Sequence, residues 1–165
     1  MKARVVDRGQ VLARCELAAW AQAQRDAGLT IAFTNGCFDL LHPGHLYSLA
    51  AAAGLADRLL VAVNDDAGVR ALKGPSRPLV PAAGRAALIA ALRPVAAVTI
   101  FGEPTPLEVI LQVRPDVLVK GSEYVDADIV GASEVRSWGG AVVRVPMQAG
   151  WSTSSIIAAI RESGA

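Results

Sequence analysis

The chain has 165 residues, 53% of them hydrophobic, with 16 Lys and Arg against 15 Asp and Glu and a formal net charge of +1. That length fits one domain with a substantial buried core. The near-neutral balance removes the electrostatic argument for a nucleic-acid binder or a polybasic membrane binder. The apolar stretches at 46–56, 59–63 and 88–101 fall short of the roughly 20 residues of a membrane-spanning helix, and residues 1–8 lead into no apolar signal-peptide core. Cys15 and Cys37 lie far apart without metal-ligand spacing, which points to reduced thiols in a cytoplasm.

In chain order, Val11, Cys15, Ala18, Ala19 and Trp20 recur at helical spacing, so a helix is predicted over 10–28, stopped by Gly28. Ile31-Ala32-Phe33-Thr34 is a short buried strand bounded by Asn35-Gly36, followed by an Ala/Leu helix over 45–54. Leu59-Leu60-Val61-Ala62-Val63 has no polar residue at alternate positions, as expected of a strand buried on both faces in a parallel sheet. The stretch 74–81 is too rich in proline for a helix and is predicted as a loop. Helices over 81–92, 106–113, 129–138 and 153–161 then alternate with strands over 96–101, 117–120 and 141–145. The alternation predicts an α/β fold: a Rossmann-like open parallel sheet of about five strands with flanking helices. The whole chain, 1–165, is expected to be one domain, with 1–29 as an N-terminal helical extension and 30–165 as the core. Ligands of such sheets bind beyond the carboxyl ends of the strands, so the loops there carry the functional information.

The loop Thr34-Asn35-Gly36-Cys37-Phe38-Asp39-Leu40-Leu41-His42-Pro43-Gly44-His45 contains both histidines of the protein, three apart at a helix start. Pro43 suits a first helical position, and Gly44 removes a side chain where a ligand can approach the backbone. An i, i+3 spacing puts both imidazoles on one face beside free N–H donors, an arrangement suited to a polyphosphate. A metal pair is disfavoured because no third His or Cys is at hand, although Asp39 could contribute; its alternative role is a local Asx turn. The chain has thirteen arginines and only three lysines, yet Lys73 and Lys120 are each followed by glycine near a strand end. A compact ammonium approaches a single phosphate oxygen closely, whereas a solvated surface lysine is the alternative. Ser152, Thr153, Ser154 and Ser155 exceed what one helix cap needs. Trp151 reads as packing rather than base stacking.

The 34–45 loop resembles the His-x-Gly-His signature of the cytidylyltransferase-like nucleotidyltransferases, and in particular the bacterial heptose-1-phosphate adenylyltransferases. The resemblance extends, in the family's order, through 59–66, Leu72-Lys73-Gly74-Pro75-Ser76-Arg77-Pro78, Thr105-Pro106-Leu107, 115–121 and Gly150-Trp151-Ser152-Thr153-Ser154. It implies that His42, His45 and Lys73 are catalytic. It also implies that Cys37, Phe38, Gly44, Lys120, Gly121, Ser152, Thr153 and Ser154 bind the nucleotide, Cys37 as pocket lining and not as a nucleophile. Asp39, Arg85 and Glu123 are further candidates for substrate or phosphate contact, Arg85 having a solvated helix face as its alternative. One departure stands out: Met147-Gln148 occupies the place of the Arg-Thr pair of glycerol-phosphate cytidylyltransferases, which weakens the case for CTP.

The reaction implied is transfer of AMP from ATP to a heptose 1-phosphate, giving ADP-heptose and pyrophosphate for lipopolysaccharide core synthesis. Mg²⁺ would arrive with ATP and require no confident protein ligand. The family further implies a cytoplasmic homodimer, without nucleic-acid or membrane partners, and the short segment before the first core strand suggests a separate sugar kinase upstream. Two rival readings stand beside it: a CTP-dependent enzyme acting on an alcohol phosphate such as glycerol 3-phosphate or phosphoethanolamine, and a nucleotide-binding regulatory domain without turnover. The dinucleotide and P-loop signatures are absent from the sequence.

Overall fold

In a computed structural model that describes residues 9–146 and 148–164, the strands β1 (Gln10–Leu12), β2 (Ile31–Gly36), β3 (Arg58–Asn64), β4 (Ala97–Phe101), β5 (Val117–Gly121) and β6 (Ala141–Val145) form one sheet. Its order is β1-β4-β3-β2-β5-β6 and every pairing is parallel. Residues 1–8, and Met147 of the Met147-Gln148 departure, lie outside the described residues. The helices are α1 (Leu17–Asp26), α2 (Pro43–Ala53), α3 (Asp66–Lys73), α4 (Ala82–Ala90), α5 (Leu107–Val113), α6 (Ala132–Ser137) and α7 (Thr153–Glu162). None is long and apolar enough to cross a membrane.

The unbroken apolar run of β3 is explained by the pleat. Leu60 and Ala62 face a core shared with Leu17, Ala21, Val109, Ile110 and Val135 of α1, α5 and α6. Leu59, Val61 and Val63 face the opposite core with Leu49 of α2 and Ala86 and Ile89 of α4. Successive side chains of a strand point to opposite faces, so a strand covered on both sides must be apolar at every position.

Three expectations are corrected. The helix predicted over 10–28 begins as a strand: Gln10–Leu12 pairs with Ala97–Thr99, and only after a 3₁₀ turn over Arg14–Glu16 does α1 start at Leu17. The unpaired edge of β4 offers backbone partners that outweigh the helical periodicity of Val11 and Cys15. Gly9 donates its N–H to the Ala90 carbonyl at 2.9 Å, and a Cβ there would stand 2.6 Å from the Val95 carbonyl oxygen, so only glycine permits this approach. The described residues before position 30 are thus woven into the sheet rather than appended to it, and the sheet has six strands instead of about five. Finally, Lys73 is not in a loop but is the last residue of α3, a helix the sequence reading did not anticipate. That helix is capped by Asp65, which accepts from the Gly68 N–H at 2.6 Å.

The central strand β2 lies between β3 and β5, so its carboxyl end is the topological switch point where doubly wound sheets bind ligands. The loop that leaves β2 there is the one carrying both histidines.

Candidate active site

A cavity of about 600 Å³ opens over the carboxyl ends of β2, β3 and β5. It is lined by the loop after β2, the end of α3, the Pro104–Pro106 turn, the segment after β5 and the turn leading into α7. Of the residues singled out from sequence, His42, His45, Lys73, Cys37, Phe38, Asp39, Lys120, Gly121, Glu123, Ser152, Thr153 and Ser154 all reach this one cavity. Arg85 does not, and Gly44 lies just behind the rings.

His42 is the N-cap of α2 in extended conformation, and Pro43 occupies the first helical turn. The two imidazoles stack with centroids 3.7 Å apart and planes 19° apart, and Phe38 abuts His45 edge-on at 5.2 Å. Phe38 takes a positive φ of 49° to bring its ring there. Gly44 is required by this packing: a Cβ would lie 3.0 Å from His42 Nδ1 and 3.3 Å from the Trp151 Cβ. The Nδ1 atoms of both histidines are buried without a hydrogen-bond partner. Burial lowers the pKa of His42. Burial, followed by the neighbouring His42, pushes His45 down to about 4, with the Leu40 backbone pulling the other way. Both rings are therefore neutral at pH 7 and stand at the start of α2, where the His45 N–H turns back to the His42 carbonyl at 2.9 Å.

This geometry has a measurable consequence. The unfolded chain protonates His45 near 6.5 while the folded, ligand-free protein resists until about pH 4. The unfolded state thus binds more protons in that window, and stability falls as pH drops through it, by on the order of 3 kcal/mol for this group. A bound triphosphate favours the charged rings and should flatten the decline. Thermal melts from pH 7 to pH 4 are expected to show a steeper loss for the unmodified protein than for His45→Gln; parallel curves would contradict the assignment.

Of the roles considered for Asp39 (a cation ligand, a loop-orienting group or a local Asx turn), the structure shows the loop-orienting one. It is 2% exposed. One carboxylate oxygen pairs with Arg77 Nε and the other accepts the N–H groups of Leu79 at 2.7 Å and Val80 at 2.9 Å. Burial opposes ionisation, but these three donors outweigh it and hold the carboxyl below its usual range. Asp39 thereby ties the loop before α4 to the histidine loop, forty residues away in sequence. With its oxygens so engaged it is a poor metal ligand, and among the described residues no group of three His, Cys, Asp or Glu converges as a cage.

Arg85 is likewise displaced from its expected role as a phosphate contact. It is 0% exposed. Its guanidinium donates to the carbonyls of Val80 at 2.8 Å, Cys37 at 2.6 Å and Asn64 at 2.8 Å, and to Asp66 at 2.7 Å. It joins three loops from beneath the cavity floor. Its proximity contributes, after Lys73, to lowering the Cys37 pKa, but burial prevails and the thiol is pushed up, consistent with an unreactive lining residue.

Lys120 donates to Asn35 Oδ1 at the end of β2 and lies 5.4 Å from the Tyr124 ring centre. Burial lowers its pKa to about 8, Glu123 opposing, so at pH 7 it remains mostly charged yet poorly solvated. Glu123 folds back over Gly121, where a Cβ would collide with its carboxylate. At the start of α7, Ser152 Oγ accepts from the Ser155 N–H at 3.0 Å and Ser155 Oγ donates to the Ser152 carbonyl at 2.8 Å. These two hydroxyls serve the cap, while Thr153 and Ser154 line the cavity. Trp151 is 44% exposed and lines the cavity too, its Cβ set against Gly44 at the start of α2.

Asn35, Asn64 and Arg77 also border the cavity, although the sequence reading assigned them no role. A strand-end Asn, or one Arg among thirteen, carries no local signal; the only hint was the position of Arg77 beside Lys73.

A family model described as cytidylyltransferase-like matches residues 33–159. The chain is 50% identical over 155 residues to the bifunctional protein HldE of Gluconacetobacter diazotrophicus, covering 94% of this chain and 32% of that one. It is 51% identical over 152 residues to the bifunctional protein HldE of Koribacter versatilis, covering 92% and 31%. The chain thus spans about a third of the length of these curated relatives. Among solved structures, the lipopolysaccharide core biosynthesis protein from Thermoplasma volcanium GSS1 superposes with a TM-score of 0.61 at 27% identity, covering 73% of this chain and 98% of that one. The matched span includes the histidine loop, both lysines and the hydroxyl turn, and the chain belongs to the cytidylyltransferase-like family.

Proposed function

We propose that the protein transfers AMP from ATP to the phosphate of a heptose 1-phosphate, forming a nucleotide sugar and pyrophosphate. The observation that carries this reading is the convergence on one cavity of two neutral imidazoles at the start of α2, the start of α7, and two lysines. Helix N-termini favour anions, and four independent donor sets exceed what a single phosphate requires. The half-identical HldE relatives support heptose phosphate as acceptor and ATP over CTP.

A phosphate oxygen of the acceptor is already a competent nucleophile, so no general base is needed. It attacks the α-phosphorus, the bond from that phosphorus to the bridging oxygen breaks, and the electron pair leaves with pyrophosphate. The protein's part is positioning and electrostatic stabilisation. His42 and His45 donate to the phosphates where charge accumulates. Thr153, Ser154 and the first N–H groups of α7 hold the β- and γ-phosphates, Lys120, braced by Asn35, adds charge from the same side of the sheet, and Lys73 meets the charge developing at the α-phosphorus. Mg²⁺ would arrive bound to ATP and would neutralise phosphate charge while keeping several of its waters. A homodimer in the cytoplasm, with a kinase activity upstream that makes the sugar phosphate, completes the proposal.

Incubation with ATP, Mg²⁺ and each anomer of heptose 1-phosphate should yield ADP-heptose by mass, with CTP a poor substitute. CTP preference with an alcohol phosphate would replace the reading with its nearest rival. Nucleotide binding without any product would indicate a regulatory domain.

A further inference from the structure

The wall of the cavity over the carboxyl ends of β3 and β4 holds polar groups that the phosphate-binding turns leave unused. Asn64, the last residue of β3, is 5% exposed and lines the cavity, and among the described residues its side-chain amide has no hydrogen-bond partner. A primary amide carries two donors and an acceptor oxygen. Because the residue lines the cavity, these groups are available to a ligand there.

Arg77 lies on the same wall. Its Nε is fixed by the buried Asp39 carboxylate, and that carboxylate is itself fixed by the Leu79 and Val80 N–H groups. The terminal Nη1 and Nη2 groups have no partner among the described residues, and the residue borders the cavity. An oriented guanidinium with its fork open is preorganised to bind a phosphate through two parallel hydrogen bonds. Arg85 keeps the two residues on one surface, because it bonds both the Asn64 carbonyl and the Val80 carbonyl.

Geometry decides which phosphate this is. The start of α7 and Lys120 lie across the histidine pair, on the β5 and β6 side, and take the triphosphate in the reading above. In-line displacement requires the nucleophile to arrive opposite the departing pyrophosphate. A neutral amide beside a single guanidinium also suits a polyol monophosphate better than a triphosphate, which has no hydroxyl to offer.

We propose that this wall is the acceptor subsite, with Arg77 gripping the phosphate of the sugar 1-phosphate and Asn64 bonding a hydroxyl of its sugar; this rests on the adenylyltransferase reading. Steady-state kinetics of Asn64→Ala and Arg77→Lys, with both substrates varied, provide the test. Arg77→Lys keeps a cation for Asp39, so the fold survives even though the fork is lost. The KM for heptose 1-phosphate should rise about 10-fold in Asn64→Ala and roughly 10- to 100-fold in Arg77→Lys, while the KM for ATP stays within about 2-fold. Direct titration with a non-hydrolysable ATP analogue should give wild-type affinity for both variants. A loss confined to ATP, or shared equally by the two substrates, would overturn the subsite and leave the adenylyltransferase reading standing. No turnover of either anomer by the unmodified protein would remove that reading and the subsite with it.

Discussion

Replacing His42 or His45 by alanine is expected to lower the rate of pyrophosphate release by on the order of 10²–10³-fold each, while the melting temperature at pH 7 changes little. The rate falls because each imidazole sits where phosphate charge develops and donates from a partly dehydrated, pre-oriented position that water cannot reproduce. The fold is largely spared because the rings bond little beyond each other, His45 giving up only its link to the Leu40 backbone and its edge contact with Phe38. Each has a buried Nδ1 without a partner, and removing an unsatisfied polar group costs less than removing a satisfied one. Below pH 6 His45→Ala should even melt higher than the parent, since the low pKa of His45 penalises the unmodified fold there. Coupled pyrophosphate assays and melts on the same preparations check both halves. Near-normal turnover in both variants would refute the site.

The second large effect separates structure from catalysis. Arg85→Ala strips four hydrogen bonds from one fully buried guanidinium, removing this donor from the Cys37, Asn64 and Val80 carbonyls and leaving the Asp66 carboxylate with the Ala82 N–H. Breaking such a buried network costs on the order of 3 kcal/mol, which for a domain of this length lowers the melting temperature by roughly 6–12 °C. Arg85→Lys should recover only part of the loss, because one ammonium cannot span the fork. A phosphate-binding arginine behaves differently: its loss raises the KM for ATP at unchanged stability. Calorimetry with ATP kinetics on both variants distinguishes the two, and a raised KM with an unmoved melting temperature would restore the expectation drawn from sequence.

That contrast shows where sequence reading stops. The Arg85 position on an amphipathic helix looks the same whether the side chain meets solvent, phosphate or a carbonyl cluster. Its partners lie at Cys37, Asn64 and Asp66, and only closure of the fold brings them within reach. Asp39 is similar, since its partners are backbone N–H groups forty residues downstream, and no spacing within its own loop announces them. The edge strand at Gln10–Leu12 was hidden for a related reason: three residues have too little pattern to compete with the helical run that follows, and the free edge of β4 decided their conformation.

What the amino-acid order alone determined was local or periodic. Continuous apolar runs require strands covered on both faces. Pro43 and Gly44 open a helix directly after such a strand. The His42/His45 spacing puts both rings on one helical face, and consecutive hydroxyl residues mark the start of a helix. These follow from backbone geometry over a few residues, so they were legible and the structure reproduces them. The tertiary structure decided the burial that keeps both imidazoles neutral and brings Lys120 to about 8, the bracing of that lysine by Asn35 and the open fork of Arg77. Each depends on desolvation or on a partner distant in the chain, quantities that exist only once the elements have packed.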